Sequence, residues 1–382
     1  MGGKHVRRLD PITTNNGSGA AAAPRFSPYI PHVDEDGELR RLYAGRRVLV
    51  AGATGFLGAN CVYALDRLDA DVTIVTRSPR GALPGFAGTV VQGDLIHRDV
   101  ADAVVHDQDI VFDFLGYPRL TPSATEPVGD LEAELRPHIN LFLACAHAQP
   151  RPTLVHCSSR LVYGAPRYLP VDEQHPTIPR SIYAVHKLAM EHYLETLEQT
   201  HSLRRIVVRL SSPFGPNGGR GEPGRFGVLN QFMVRAVLNK PITIFGTGEQ
   251  MRDYIFIDDV VRAFLLLGAS ERCVGETFNL GGEKGVRLRD AAYTIARLAG
   301  GSPVRHEPWP NEARAVETGS YCTDLRKIRS CIPLGDTTSF QEGAQRTLAW
   351  LRSVITPDAS AAPPLSTSPR LLRDPQTVAR TS

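Results

Sequence analysis

The amino-acid sequence predicts an α/β protein built on a doubly wound parallel sheet, with a smaller lobe toward the C-terminus. Three observations predict it. Short β-branched runs alternate with longer helical ones through the first half of the chain, and a glycine-rich turn joins the first strand to the first helix. After Leu210 the rhythm breaks into Gly- and Pro-rich segments with shorter elements.

Taken in order, the strands run from Arg46 to Ala51, Asp71 to Thr76, Thr89 to Gln92, Ile110 to Leu115, Thr153 to Cys157 and Arg205 to Leu210. Helical patterns cover Gly55 to Leu68 and the stretches near 130–148 and 182–200. The opening strand, helix and strand make a βαβ unit. A second lobe packed over the carboxyl ends of such strands leaves a cleft, and a ligand is expected there. Residues 1 to about 44 and 354 to 382 are rich in Gly, Ala, Pro and Ser without apolar periodicity, so a flexible or loosely docked N-terminal arm and a flexible tail are expected.

Composition narrows the function. The 382 residues carry 43 basic and 40 acidic side chains spread along the chain, a formal net charge of +3. No field strong enough to suggest nucleic acid or an anionic membrane follows from that balance. Cys61, Cys145, Cys157, Cys273, Cys322 and Cys331 form no CxxC pair and keep no metal-ligand spacing with histidine, so reduced thiols and no metal centre are expected. The sequence shows no apolar run of about eighteen residues and no secretory signal, which leads us to expect a cytoplasmic protein.

The run Val48-Leu49-Val50-Ala51-Gly52-Ala53-Thr54-Gly55-Phe56-Leu57-Gly58 sets three glycines directly after a strand and at the opening of a helix. Gly52 suits a tight turn, Gly55 lets the backbone approach a pyrophosphate, and Gly58 lets helix and strand pack closely, while the helix amides face the phosphates. The alternative is a Gly-rich turn without ligand. At the end of the second strand stands Thr76-Arg77-Ser78, where a fold preferring NAD usually has a carboxylate for the ribose hydroxyls. Arg77 can pair with a 2′-phosphate, so NADP is the expected cofactor and NAD the alternative. Asp94 and Leu95 follow the third strand, placed to accept from the adenine amino group and to lie against the ring; Asp94 could equally cap a helix.

The strand from Thr153 ends in Ser158-Ser159-Arg160-Leu161-Val162-Tyr163-Gly164, and the helix near 182–200 carries Tyr183-Ala184-Val185-His186-Lys187. Tyr183 and Lys187 share one helix face. A tyrosine with an ordinary pKa of about 10 needs help to act as a base near neutrality, and a lysine ammonium beside a charged nicotinamide supplies it. Ser159 would hold the substrate hydroxyl while Tyr183 takes or returns its proton.

GxxGxxG, a serine after a later strand and YxxxK on the next helix, in that order, resemble the extended short-chain dehydrogenase/reductase family, the NAD(P)-dependent nucleotide-sugar epimerases and dehydratases, over residues 46–352. The resemblance implies a Rossmann-like domain over 45–210 with 258–283 returning to it, and a substrate-binding lobe over 211–257 and 284–353. It implies cofactor contacts from Gly52, Thr54, Gly55, Phe56, Leu57, Gly58, Arg77, Asp94, Leu95, Gly116, Tyr183 and Lys187. It also implies a nucleotide-diphosphate-sugar substrate, bound by Ser159, Arg160, Ser212 in the segment Arg209 to Pro216, and Arg252 in the run Pro241 to Val260, the last on the pyrophosphate. The alternative for Arg252 is an ion pair with Asp253 or Asp258.

The sequence departs from the family at informative places. Sugar 4,6-dehydratases carry Asp-Glu directly after the catalytic Ser or Thr, where this chain has Arg160-Leu161, and sugar-acid decarboxylases place a Glu where Leu161 stands. Both activities are therefore disfavoured. Ser212 replaces a usual Asn, and Glu134-Leu135-Arg136-Pro137-His138 replaces Asn-x-x-Gly-Thr. Three functions compete: a nucleotide-sugar epimerase, with 4-epimerisation in front; an NADPH-dependent reductase of a nucleotide-linked keto-sugar; and a dinucleotide-binding protein without catalysis. The family resemblance also implies a homodimer paired through helices of the first domain, one of them carrying Tyr183.

Overall fold

The computed structural model describes residues 28–34, 37–77, 83–116, 127–218, 224 and 226–355. Its first layer is a seven-stranded sheet. In chain order its strands are β1 (Arg47–Ala51), β2 (Asp71–Thr76), β3 (Thr89–Gln92), β4 (Ile110–Asp113), β5 (Thr153–Ser159) and β6 (Arg205–Leu210). The short strands β7 (Ser212–Phe214), β8 (Ile242–Phe245), β9 (Met251–Arg252) and β10 (Tyr254–Phe256) follow, then β11 (Thr277–Leu280), which rejoins the sheet, and finally β12 (Val286–Arg287) and β13 (Val304–Glu307). The spatial order is β11-β6-β5-β4-β1-β2-β3, with every pair parallel. This is the expected Rossmann-like sheet. The order reverses beside β1, where such sheets open a crevice at the strands' carboxyl ends.

Both faces of the sheet are covered, because alternate residues of each strand point to opposite sides. Val48 and Val50 of β1 pack with Ala59 and Val62 of helix Phe56–Arg67 and with Val260 and Phe264 of helix Ile257–Gly268. Leu49 and Ala51 face the other way. They pack with Ala101 of helix Arg98–Val105, Leu141 of helix Pro127–His147 and Met190 of helix Ile182–His201.

The second lobe is made of three two-stranded pairs, β7 with β10, β9 with β12 and β8 with β13, and of helices Val228–Val237, Leu288–Ala299 and Phe340–Val354, which pack on one another. Among the described residues no helix is long and apolar enough to cross a membrane.

The expectation of a flexible arm up to residue 44 is corrected by the structure. Helix Glu38–Tyr43 buries Leu39 and Tyr43, four apart on one face, and the Tyr43 hydroxyl donates to the Leu265 carbonyl at 2.7 Å. Ahead of it, the Tyr29 hydroxyl donates to Asp258 at 3.0 Å. The apolar spacing of Leu39 and Tyr43 is too short a signal to stand out inside a Gly- and Pro-rich stretch. Residues 1–27 and 356–382 lie outside the described residues.

Candidate active site

The turn after β1 is shaped by glycine at two points. Gly52 has φ +76°, and a Cβ there would lie 2.4 Å from the Phe114 carbonyl oxygen. A Cβ on Gly58 would meet the Gly52 oxygen at 2.3 Å, so helix Phe56–Arg67 can lie this close to the turn only without one. Gly55 caps that helix with no side-chain acceptor, leaving its first-turn amides for a ligand, as a pyrophosphate requires. Thr54 and Leu57 are half-buried beside this turn. Phe56 is buried and stacked on Phe226 with ring centroids 5.8 Å apart, so only its backbone faces the turn.

Arg77 is exposed at the end of β2, and Gly116 follows β4 beside Glu134. Asp94 is no helix cap: its carboxylate accepts from the Ile96 amide at 3.1 Å, and His97 takes the cap position of the next helix. Leu95 is anchored in the core next to that loop. Its side chain is 4% exposed and packs with Val75, Val91 and Ala101 beneath the sheet's edge. Hydrophobicity favours this burial. Asn140, which the sequence reading missed, donates to the Leu95 and Ile96 carbonyls at 2.9 Å each and fixes this loop to helix Pro127–His147.

Ser159, Tyr183 and Lys187 converge. Ser159 ends β5, and its side chain accepts from the Leu161 amide at 3.2 Å, which caps the 3-10 turn Arg160–Tyr163. Ser181 caps the next helix in the same way at 3.3 Å and so sets the orientation of Tyr183 two residues on. The Lys187 ammonium is buried and donates to the Cys157 carbonyl at 2.8 Å. Burial alone pushes Lys187 down, but Tyr183, Cys157, Asp113 and Glu134 together raise it, so it stays charged.

The Tyr183 phenol is pulled in two directions. Burial pushes it up, and Cys157 and Glu134 add to that, while Lys187 and a hydrogen bond from Ser159 pull it back only in part. In the cofactor-free protein, desolvation of the phenolate outweighs one ammonium.

Beneath this trio lies a group the sequence reading missed. Asp113, on β4, accepts at the same carboxylate oxygen from His138 Nδ1 at 2.6 Å and His156 Nδ1 at 2.7 Å, and all three side chains are buried. Both Nε2 atoms are buried without a partner. Burial works against the Asp113 charge, but the two imidazoles hold its carboxyl well below the usual carboxylate range. Burial pushes His156 down to about 4, against the pull of Asp113. The ligand-type atoms of the three lie within 4.8 Å of one another. Cysteine and histidine spacing, on which the expectation of no metal centre rested, could not reveal a grouping of this kind. The available signal was Asp113 itself, a carboxylate inside the apolar run Ile110 to Leu115.

On the second-lobe side, Ser212 is half-buried on β7 and registers with Tyr254 of β10. Arg252 pairs with neither Asp253 nor Asp258. Its guanidinium donates to Glu317 at 2.5 Å, to the Met251 carbonyl at 2.8 Å and to the Gly319 carbonyl. Asp253 is instead buried among donors, the Ser211 and Thr323 hydroxyls and the Thr323 amide at 2.8 Å, and burial raises its pKa to about 6. Arg160 donates to the Thr318 hydroxyl at 3.2 Å and lies 5.1 Å from the centre of the Tyr321 ring. The segment 317–319 thus joins the two arginines.

Residues 48–281 match the model of the NAD dependent epimerase/dehydratase family. A UDP-glucose 4-epimerase of Azospirillum brasilense is 30% identical over 277 residues, covering 67% of this chain and 78% of its own. The UDP-glucose 4-epimerase of Thermus thermophilus in complex with NAD superposes with a TM-score of 0.72 at 26% identity, covering 81% of this chain and all of its own. MoeE5 in complex with UDP-glucuronic acid and NAD superposes with a TM-score of 0.71 at 28% identity, with coverages of 81% and 100%. The chain belongs to the NAD dependent epimerase/dehydratase family and is an enzyme of the extended short-chain dehydrogenase/reductase type.

Proposed function

We propose that this member of the family inverts a ring hydroxyl of a nucleotide-diphosphate sugar, at C4 in the first instance. The observation that carries the reading is the convergence of Ser159, Tyr183 and Lys187 at the carboxyl end of β5, in the same parallel sheet whose β1 ends in the glycine turn. The turn from Gly52 to Gly58 fits the dinucleotide pyrophosphate, with Arg77, Asp94 and Gly116 around the rest of that crevice. When bound, the nicotinamide ring supplies a reversible hydride acceptor and, in its oxidised form, a positive charge near the phenol.

Ser159 holds the substrate hydroxyl. Tyr183, as phenolate, takes the hydroxyl proton while the carbon gives up its hydrogen with the bonding pair; the ketone formed turns over, and Tyr183 returns the proton as the opposite face is reduced. Lys187 stays charged throughout and favours the phenolate. On the substrate, Arg252 exchanges Glu317 for pyrophosphate oxygens, a role suited to its paired donors. The names of the relatives support a UDP-linked sugar.

A second reading, a reductase consuming NADPH, is favoured by Arg77 in place of a carboxylate at the end of β2. One experiment separates the two. Purified protein is incubated with NAD or NADP and a panel of UDP- and dTDP-sugars and their 4-keto derivatives, with absorbance of the reduced cofactor followed alongside product stereochemistry. Inversion without net cofactor change establishes the epimerase. Stoichiometric loss of NADPH with a keto-sugar overturns it in favour of the reductase.

We further propose a homodimer through helices Pro127–His147 and Ile182–His201. These pack together and leave Val128, Leu131, Val185 and Tyr193 exposed, 44% or more each. A concentration-independent monomer mass by light scattering would overturn this.

A further inference from the structure

Two of the six cysteines, far apart in sequence, meet at the edge of the main sheet. Cys273 ends the 3-10 turn Glu271–Cys273 that leads into the edge strand β11, and Cys331 is the last residue of helix Arg326–Cys331. That helix lies against β11, where the Lys327 ammonium donates to the Thr277 carbonyl at 2.8 Å and sits 5.2 Å from the centre of the Phe278 ring. Its far end is held from the 3-10 turn itself. Arg272, next to Cys273, donates to the Cys331 and Ser330 carbonyls at 2.9 Å each.

The two thiols share this corner. Cys331 packs against the core cluster that contains Cys273. The Cys273 sulfur lies 3.2 Å from the Ser270 hydroxyl, and the Cys331 sulfur 3.9 Å from that of Ser330. Burial pushes the Cys273 thiol up and the Ser270 hydroxyl pulls it back, while Cys331 raises it further by its charge and by a hydrogen bond between the two side chains.

Their exposures differ in a way that assigns roles. Cys331 is half-buried and reaches solvent, whereas Cys273 is fully buried. An accessible thiol in front of a buried second one is the arrangement that lets an oxidised sulfur be resolved into a disulfide. We propose that Cys273 and Cys331 form a reversible disulfide, with Cys331 as the attacking thiol and Cys273 as the resolving one. The oxidant is a low-molecular-weight disulfide such as oxidised glutathione. The Cys331 thiolate attacks one of its sulfurs, a mixed disulfide forms and one thiolate leaves; Cys273 then gives up its proton, attacks the Cys331 sulfur and expels the second thiolate. Two cysteine thiols are oxidised, one disulfide is reduced to two thiols, and the cysteine protons end on the released thiols.

The bond closes a loop that holds β11, β12, helix Leu288–Ala299 and β13, together with Glu317 and Thr323, which meet Arg252 and Asp253. It staples this stretch to the sheet edge and restricts the unfolded chain, so the oxidised protein melts at a higher temperature. The inference does not depend on which sugar the enzyme acts on.

The test incubates the full-length protein with oxidised glutathione at mildly alkaline pH, blocks the remaining thiols and maps the cysteine peptides by mass spectrometry. Thermal melting is recorded before and after, and again after a thiol reductant. In the wild type the Cys273–Cys331 peptide should exceed any other cysteine pair by about tenfold or more, because these two sulfurs are held together. The melting temperature should rise, and the reductant should reverse both changes. Cys273→Ser should trap glutathione on Cys331, and Cys331→Ser should leave the buried Cys273 unmodified. A wild type that keeps glutathione on Cys331 without the crosslink would overturn the proposal. So would one in which the half-buried Cys322 reacts and Cys331 does not, or one that forms the crosslink only in urea. Glutathione on Cys273 in the folded Cys331→Ser protein would overturn the assigned order of attack.

Discussion

Replacing Asp113 by asparagine keeps the size of the side chain and removes the charge on which His138 and His156 converge. In the wild type two imidazole Nδ1–H groups donate to one buried carboxylate oxygen at 2.6 and 2.7 Å, and the other oxygen accepts from the Leu115 amide at 3.1 Å. An amide can still serve Leu115, but its NH2 then faces two imidazole nitrogens. At least one histidine must change tautomer, and both charge-assisted bonds are lost. At about 1.5–3 kcal/mol for a hydrogen bond to a charged group, the pair is worth about 3–6 kcal/mol. Full burial of all three side chains leaves little solvent to offset that loss.

The assay is equilibrium unfolding in urea at pH 7.5, followed by far-ultraviolet circular dichroism. The expected outcome is a midpoint lowered by the equivalent of about 3–6 kcal/mol with an unchanged slope. A loss below about 1 kcal/mol would refute the argument, since it would mean that the carboxylate contributes no more than a neutral acceptor. Asp113 also helps keep Lys187 charged, so the variant should lose activity under conditions where it is still folded.

Three further outcomes are expected. The stability that His156 contributes should fall as pH drops from about 6.5 toward 4, because it is depressed to about 4 when folded and the unfolded chain binds its proton first, whereas Asp253, raised to about 6, acts with the opposite sign; a urea-midpoint difference between wild type and His156→Gln that stays flat across that window would contradict the burial argument. Tyr183→Phe should lower the rate of hydroxyl inversion by about 100- to 10,000-fold while leaving dinucleotide affinity within severalfold, measured by initial rates and calorimetry; a smaller loss of rate would remove Tyr183 as the proton carrier. Arg77→Glu should shift the ratio of NADP to NAD affinity by at least about tenfold toward NAD, and an unchanged ratio would show that Arg77 does not meet the 2′-phosphate position.

Much of the fold was legible because it is written in local periods. Each strand from β1 to β6 is a short β-branched run, each covering helix has apolar residues at helical spacing, and Gly52 and Gly58 stand where the backbone turns or comes close. Tyr183 and Lys187 were legible for the same reason, since four residues along one helix place two side chains on one face whatever packs against it. The sequence by itself therefore determined the sheet, the dinucleotide turn and the Tyr-Lys pair.

Tertiary packing decided the rest. Asp113 meets partners 25 and 43 residues away, and Arg252 meets one 65 residues away, and no local period records such separations. Leu95 could be placed after β3 from the sequence, but whether it faced a ligand or the core depended on the helices beneath it. Arg160 shows the limit most plainly. Its position after Ser159 is local information, whereas its bond to Thr318, 158 residues on, the Tyr321 ring beside it and the Asp253 charge near it are set by the elements packed against it, because electrostatic interaction in a buried site depends on distance in space and not along the chain.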